Sequence, residues 1–405
     1  MPVAERTGAT VLSGASVILP DRVASGLSLV IEGDRIADLP SGPRPVGGGD
    51  RHVDVTGCFI APGFIDVHVH GALGFDVLDS ADALGRVARA LPRWGVTAFC
   101  PTATAAPPDE LARLLSAVGA FRETPIAGAA RVLPAHLESS FINPEYRGAQ
   151  PLACLRLPGA LVGRAGDPAG AAFTARDVVD AIDRHRSDVG IVTLAPELDG
   201  AIELIRAFAA AGIRVSLGHT GATFDEAQAA IAAGASHATH LFNRMRPMSH
   251  RDPGVAGAAL AHESVAVEVI CDGVHVHPAM VRVVVAAKGT GRVMAITDAT
   301  AGAGLPAGSR ATLGGQPIVV SDAARLEDGT LAGSVTTMDR AFAWLVTACG
   351  LDLVEAAAVC ATTPARRMGL VGFGAITPGA TADLVVLDQQ LRVVSTWRGG
   401  QHCSP

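Results

Sequence analysis

Six side chains in this sequence combine the right types and spacing for metal-assisted chemistry: His68, His70, Glu138, His219, His240 and Asp298. Imidazole and carboxylate together suit a divalent ion, which lowers the pKa of bound water and polarises a carbonyl. His68 and His70 stand two apart in PGFIDVHVHG, so strand alternation turns both rings to one side. Glu138 in PAHLESS offers a carboxylate able to bridge two cations. His219 in SLGHTGAT and His240 in THLFNRM each follow an apolar run, and Asp298 follows another in AITDATAG. Taken singly, each has a plainer explanation. A lone His is commonly a hydrogen-bonded structural residue, a Glu can pair with Arg, and an Asp after a strand can cap a helix.

Their positions along the chain argue against those explanations. Eight apolar runs alternate with amphipathic helical stretches: Phe59 to Val67, Val96 to Pro101, Arg131 to Leu137, Val189 to Leu194, Ile213 to Leu217, His237 to Leu241, Val265 to Ile270 and Val293 to Thr297. Asp109 to Phe121, with apolar residues at 111, 114, 115, 118 and 121 behind two prolines, reads as one of the helices. This rhythm predicts an α/β fold, a (β/α)8 TIM-type barrel. The six residues fall at or just past the ends of runs one, three, five, six and eight. Barrel enzymes gather functional groups at the C-terminal ends of their strands, so the six can converge on one point.

The short, Gly- and Pro-broken apolar segments before residue 60 and after Gly374 resemble each other in style. They predict a small β-sandwich domain built from residues 1–60 and 375–405, with the barrel spanning residues 61–374 between them. Residues 151–172, rich in Pro, Gly and Ala, interrupt the barrel rhythm and read either as an active-site lid or as a passive loop.

Composition narrows the partners. The chain has 405 residues, 49% of them hydrophobic, enough for a barrel and an accessory module. The net charge of −7 provides no global field for nucleic acid or an anionic membrane, so an anionic substrate needs a local basic pocket. The 7 cysteines are scattered without a CxxC pair and read as free thiols of a cytoplasmic protein. Neither a signal peptide nor a transmembrane run is expected.

The motifs PGFIDVHVHG, HLE, VTLAPE, SLGHT, THLFN, DGVH, TDA and LAGS occur in an order that resembles the N-acetylglucosamine-6-phosphate deacetylase branch of the amidohydrolase superfamily, from about residue 10 to 400. The resemblance implies hydrolysis of the N-acetyl amide of an amino-sugar phosphate. Glu138, His219 and His240 would then hold a metal, His68 and His70 would provide a second site, and Asp298 would act as general base and then acid. One or two divalent ions are implied, zinc first, with iron, manganese or cobalt as alternatives. His275 of DGVH, together with Asn243 and Arg251 of HLFNRMRPMSHRDPG, matches substrate-binding positions. Ala149 and Gln150 of RGAQP and Leu331, Ala332 and Gly333 of LAGS join them. Because the family lends the arginine and histidine across a subunit interface, a homodimer is implied as well.

Two departures bear on the substrate. Ser139 and Ser140 follow Glu138 where the family has Gly-Pro, and Arg244 stands where it has Ala. Both are expected near the sugar. Arg244 would either strengthen phosphate binding or fill the pocket and select another acid group. They motivate the alternative of a different N-acetyl amino sugar, such as the galactosamine isomer. A non-catalytic barrel scaffold should have lost the ligands that this chain keeps.

Overall fold

The computed structural model describes residues 8–42, 49–164, 166–168 and 170–403. The expected ends of the terminal segments, residues 1–7 and 404–405, lie outside them, as do 43–48, 165 and 169.

Eight parallel strands form the barrel: β1 (Phe64–Val69), β2 (Val96–Ala103), β3 (Ala135–Glu138), β4 (Val189–Leu194), β5 (Arg214–Leu217), β6 (Ala235–Ala238), β7 (Ala266–Ile270) and β8 (Val293–Ile296). Each pairs with the next in parallel from β1 to β8. A bridge from Val69 to Ala299 links the two ends of the sheet. Strands β1, β2, β4 and β7 are buried along their whole length, as a sheet covered on both faces requires.

Helices wrap the outside. The helix Pro108–Glu123 covers the expected 109–121 and starts with Pro in its first turn, where the missing N–H costs nothing. The helix Phe224–Ala233 opens on a reciprocal Thr223–Glu226 capping box and closes at Gly234. Phe64 of β1 stacks on Phe342 of the helix Met338–Thr347, with centroids 5.1 Å apart, pinning that helix to the barrel.

Two expected boundaries move. The run Phe59 to Val67 is two strands broken at Gly63: Phe59–Pro62 pairs with Ser16–Ile18 and Leu384–Leu387, and only Phe64 onward enters the barrel. A Cβ at residue 63 would lie 2.3 Å from Thr97, so the crossing from one sheet to the other requires glycine. The sixth strand spans Ala235–Ala238 rather than His237 to Leu241, because the chain turns at His240 with φ of 30°.

Strands from both chain ends share a six-stranded sheet, and a four-stranded sheet from the N-terminal segment stands beside it. Leu12, Ile36, Ile60, Leu384 and Trp397 pack together in one core. Residues 151–172 form short 3-10 turns at Leu152–Cys154 and Pro158–Val162. Arg156, buried, donates to the carbonyls of Phe173, Ala153 and Leu155. Arg164 pairs with Asp199 and Glu203 at the helix Ala201–Ala210. The segment is thus tied to the outside of the barrel.

Candidate metal centre

The site grows from the strand ends. His68 and His70 leave β1 on the same side, and Glu138 is the last residue of β3. His219, His240 and Asp298 each lie two residues past their strands, in left-handed backbone with φ of 50°, 30° and 50°. Such conformations cost a non-glycine residue about 1 kcal/mol or more and persist where surrounding structure imposes them. Asp298 is held by its N–H donating to the His68 carbonyl at 3.0 Å and its carbonyl accepting from Ser334 N–H at 2.8 Å. Gly333 has φ of 64°, and a Cβ there would lie 2.9 Å from the Asp298 carbonyl, so backbone packs directly against backbone.

The six side chains converge. Oε1 of Glu138 lies 3.0 Å from Nε2 of His219, 2.9 Å from Nε2 of His240 and 3.6 Å from Nε2 of His68. Its Oε2 lies 3.4 Å from Nε2 of His70. Oδ1 of Asp298 lies 3.2 Å from Nε2 of His70 and 3.4 Å from Nε2 of His68. Two ligand groups result, His68/His70/Asp298 and Glu138/His219/His240, each with its ligand atoms within 4.8 Å of one another. Glu138 stands between them, its Oε1 toward His219 and His240 and its Oε2 toward His70.

This donor set fits a metal. Nε2 atoms face one another in pairs, His68 with His70 at 3.2 Å and His219 with His240 at 3.1 Å. His219 points its Nδ1 at the Tyr146 carbonyl at 3.0 Å and His68 points its Nδ1 at Oε2 of Glu268 at 3.1 Å. A proton on each Nδ1 leaves Nε2 as a bare lone pair aimed at the centre, the ligand form of imidazole. Imidazole and carboxylate suit zinc, iron, manganese or cobalt alike.

Charge in the pocket reflects the same crowding. Burial opposes a proton on His70, yet hydrogen bonds to Asp298 and Glu138 outweigh it and lift its pKa to about 10. Burial lowers His68 to about 4 despite the Asp298 and Glu138 carboxylates. Burial would raise Glu138, but His219 and His68 hold it well below the ordinary range. Asp298 is likewise opposed by burial and held below its ordinary value by His68 and His70. Without an ion, both carboxylates are therefore anionic at neutral pH and the positive charge facing them is that of protonated His70.

Beneath the ligands lies a layer in which the sequence reading missed Glu268 and His136 and gave Asp66 no role. Glu268 on β7 is fully buried, its pKa pushed by burial to about 7. His136 on β3 places Nε2 2.7 Å from the Thr193 hydroxyl and Nδ1 3.1 Å from the Val67 carbonyl. Asp66 accepts from the Thr297 hydroxyl at 2.5 Å. The signal was present as acidic and imidazole residues inside apolar strands, in FIDVHV, AHLE and AVEVI.

A cavity of about 650 Å³ opens above the centre, within the range of small-ligand sites. Ala149, Gln150, Asn243, Arg244, His275, Leu331 and Gly333 line it, as do Tyr146, Phe242, Met245, Pro247 and Leu313, which sequence reasoning did not single out. Gln150 donates to Oε2 of Glu138 and accepts from Ala105 N–H at 2.7 Å. His275 turns Nδ1 to Asp272 at 2.6 Å and lines the cavity of its own chain, where the resemblance has the histidine come from a second subunit.

Several expected positions fall elsewhere. Ala332 is fully buried behind the wall, and Arg251 is exposed on the surface; neither lines the cavity of the single chain. Ser139 and Ser140 are also absent from the walls. Ser139 is spent on the turn after β3, its hydroxyl donating to the Thr193 carbonyl at 2.6 Å and accepting from Phe141 N–H at 3.1 Å. No described residue of 151–172 lines the cavity, so a lid there is not what the structure displays. A larger depression of about 1030 Å³, with Asp177, Asp180 and Arg184 in its walls, contains no imidazole.

A (β/α)8 barrel with four histidines and two carboxylates at the C-terminal ends of its strands defines a metal-dependent hydrolase. The amidohydrolase family model matches residues 59–402, and the chain belongs to that family. It is 36% identical to the N-acetylglucosamine-6-phosphate deacetylase of Mus musculus, covering 99% of this chain and 95% of that protein. It is 33% identical to the N-acetylgalactosamine-6-phosphate deacetylase of Escherichia coli O157:H7, covering 95% and 94%. Among solved structures, a variant of the Mycobacterium smegmatis N-acetyl-D-glucosamine-6-phosphate deacetylase, in complex with N-acetyl-D-glucosamine-6-phosphate, aligns with a TM-score of 0.86 at 32% identity over 98% of this chain and 100% of that one. The Pasteurella multocida N-acetylglucosamine-6-phosphate deacetylase aligns with a TM-score of 0.87 at 27% identity over 98% and 100%.

Proposed function

We propose that the protein is an N-acetylglucosamine-6-phosphate deacetylase, hydrolysing the N-acetyl amide to glucosamine 6-phosphate and acetate. The observation that carries this reading is the pair of neighbouring ligand groups, His68/His70/Asp298 and Glu138/His219/His240, with Asp298 facing the cavity beside them. Full-length likeness to deacetylases of the same sugar phosphate supports the substrate.

His219, His240 and Glu138 would hold one ion, and His68, His70 and Asp298 a second. When bound, a divalent ion supplies a nucleophilic hydroxide near neutral pH and polarises the amide carbonyl. Asp298, anionic and 3.2 Å from His70, takes the proton of the attacking water. It then returns that proton to the amide nitrogen, so a neutral amine leaves. His275 and Gln150 orient the acetyl and sugar groups at the cavity wall, with Asn243 beside them. Zinc is the first choice of metal.

Arg251, exposed in this chain, belongs by resemblance in the cavity of a second copy, which makes the working unit a homodimer. The described strands of the two chain ends, up to Pro62 and from Leu384 onward, act as a β-sandwich domain flanking the barrel. The 7 cysteines are free, which supports a cytoplasmic location, and no helix among the described residues is long and apolar enough to cross a membrane.

Turnover of N-acetylglucosamine 6-phosphate, the unphosphorylated sugar and the galactosamine isomer by the metal-replete protein tests the reading. Highest kcat/KM for the phosphorylated glucosamine compound is expected; equal rates on all three would overturn the substrate.

A further inference from the structure

We propose that Arg244 is this chain's own phosphate-binding residue, selecting the 6-phosphorylated sugar from within the same subunit that hydrolyses it. The proposal rests on the deacetylase reading above and adds a specificity-determining residue to it.

Arg244 is a cation without an anion. Among the described residues no carboxylate lies within ion-pair distance of its guanidinium, and its one hydrogen bond reaches the Leu331 carbonyl at 3.5 Å. Its neighbour Arg246 is instead bound to Asp252 at 2.5 Å. In a chain of net charge −7, a free guanidinium in the cavity wall is the local basic group that an anionic substrate needs. Its planar fork of donors matches phosphate oxygens.

The backbone is built to hold it there. Arg244 has φ of 51°, the left-handed region, at a cost of about 1 kcal/mol or more. The conformation is fixed by Thr220 N–H donating to the Arg244 carbonyl and Arg246 N–H donating to the Thr220 carbonyl, each at 3.0 Å. Of seven described non-glycine residues with positive φ, five line this cavity: His219, His240, Phe242, Arg244 and Asp298. Gly148 faces the Arg244 stem, and a Cβ there would lie 2.7 Å from its Nε. The glycine keeps that space open.

Geometry assigns the phosphate end. The acetamido group and the 6-phosphate project from opposite sides of a pyranose ring. A substrate with its amide at buried Asp298 carries its phosphate toward the outer wall, where Arg244 is exposed. Arg244 also lines an adjoining polar cavity of about 450 Å³ with Arg147, Gln316, Thr330 and two carboxylates, Glu145 and Asp328, neither within ion-pair distance of its guanidinium, so it forms part of the partition between the two cavities.

The experiment measures kcat/KM for N-acetylglucosamine 6-phosphate and for the unphosphorylated sugar in wild type, Arg244→Ala, Arg244→Lys and Gly148→Ala, with the inhibition constant of inorganic phosphate in each. One charge-assisted contact corresponds to about a tenfold change. Expected are a fall of about tenfold in the ratio of the two kcat/KM values in Arg244→Ala and Gly148→Ala, partial recovery in Arg244→Lys, and weaker inhibition by phosphate in step. A general folding defect lowers both substrates together and leaves the ratio in place, which counts against the proposal. Wild type that prefers the phosphorylated sugar, with Arg244→Ala keeping that preference within about twofold, overturns the role of Arg244 alone. Wild type without any such preference overturns the sugar-phosphate substrate of the reading above and this proposal with it.

Discussion

Nδ1 of His68 lies 3.1 Å from Oε2 of Glu268, both side chains fully buried, joining the end of β1 to the middle of β7 across the barrel. The contact fixes which ring nitrogen of His68 faces the other ligands. Replacing the carboxylate removes a strong acceptor and frees the tautomer. Glu268→Gln is expected to lower metal affinity at the His68/His70/Asp298 group by about tenfold or more. Titration of the metal-free protein followed by calorimetry checks it; an unchanged binding isotherm would remove Glu268 from the site.

Asp298→Asn keeps the size of the side chain and removes its basicity. General acid–base groups contribute about 100- to 10,000-fold, and kcat is expected to fall by that order. The Glu138/His219/His240 group does not need Asp298, so elemental analysis should still find metal on the variant. Loss of all metal together with activity would recast Asp298 as a structural ligand.

Chelation tests the centre as a whole. A ligand that binds only the folded protein at 100-fold excess over its Kd stabilises by about 2.7 kcal/mol. Stripping the metal is expected to lower the melting temperature, and zinc, manganese or cobalt to restore it. A melting curve indifferent to chelator and metal would argue against both ion sites.

Acid stability should report His237. The ring is buried on β6 with Nε2 unpartnered among the described residues, and burial, aided by Arg214 and Arg367, lowers its pKa to about 3. The folded state keeps it neutral while the unfolded chain takes up a proton below about pH 6.5. Its contribution is therefore flat above pH 6.5 and lost as pH falls from 6.5 toward 3, about 2 kcal/mol by pH 5. Denaturant unfolding between pH 5 and 8 measures the slope, and His237→Gln should flatten it; an equal slope in the variant would assign the acid loss elsewhere.

The sequence by itself determined the barrel and its six chemical groups. Alternating apolar runs and helices set a parallel sheet, and imidazoles and carboxylates placed at strand ends mark one face, because strand direction is local information. What the sequence could not state is how residues far apart meet. Phe59–Pro62 joins the terminal sheet because its partners, near residues 17 and 386, are distant in the chain. Glu268 reads as one acid in an apolar strand until the barrel sets it 3.1 Å from His68. Ser139 sits beside a ligand in sequence, but its hydroxyl satisfies the turn at Thr193 instead of the cavity. Arg251 and Arg244 look alike along the loop after β6 and both are exposed, yet only Arg244 lines the cavity. Burial and hydrogen-bond satisfaction made those choices, and both depend on three-dimensional neighbours.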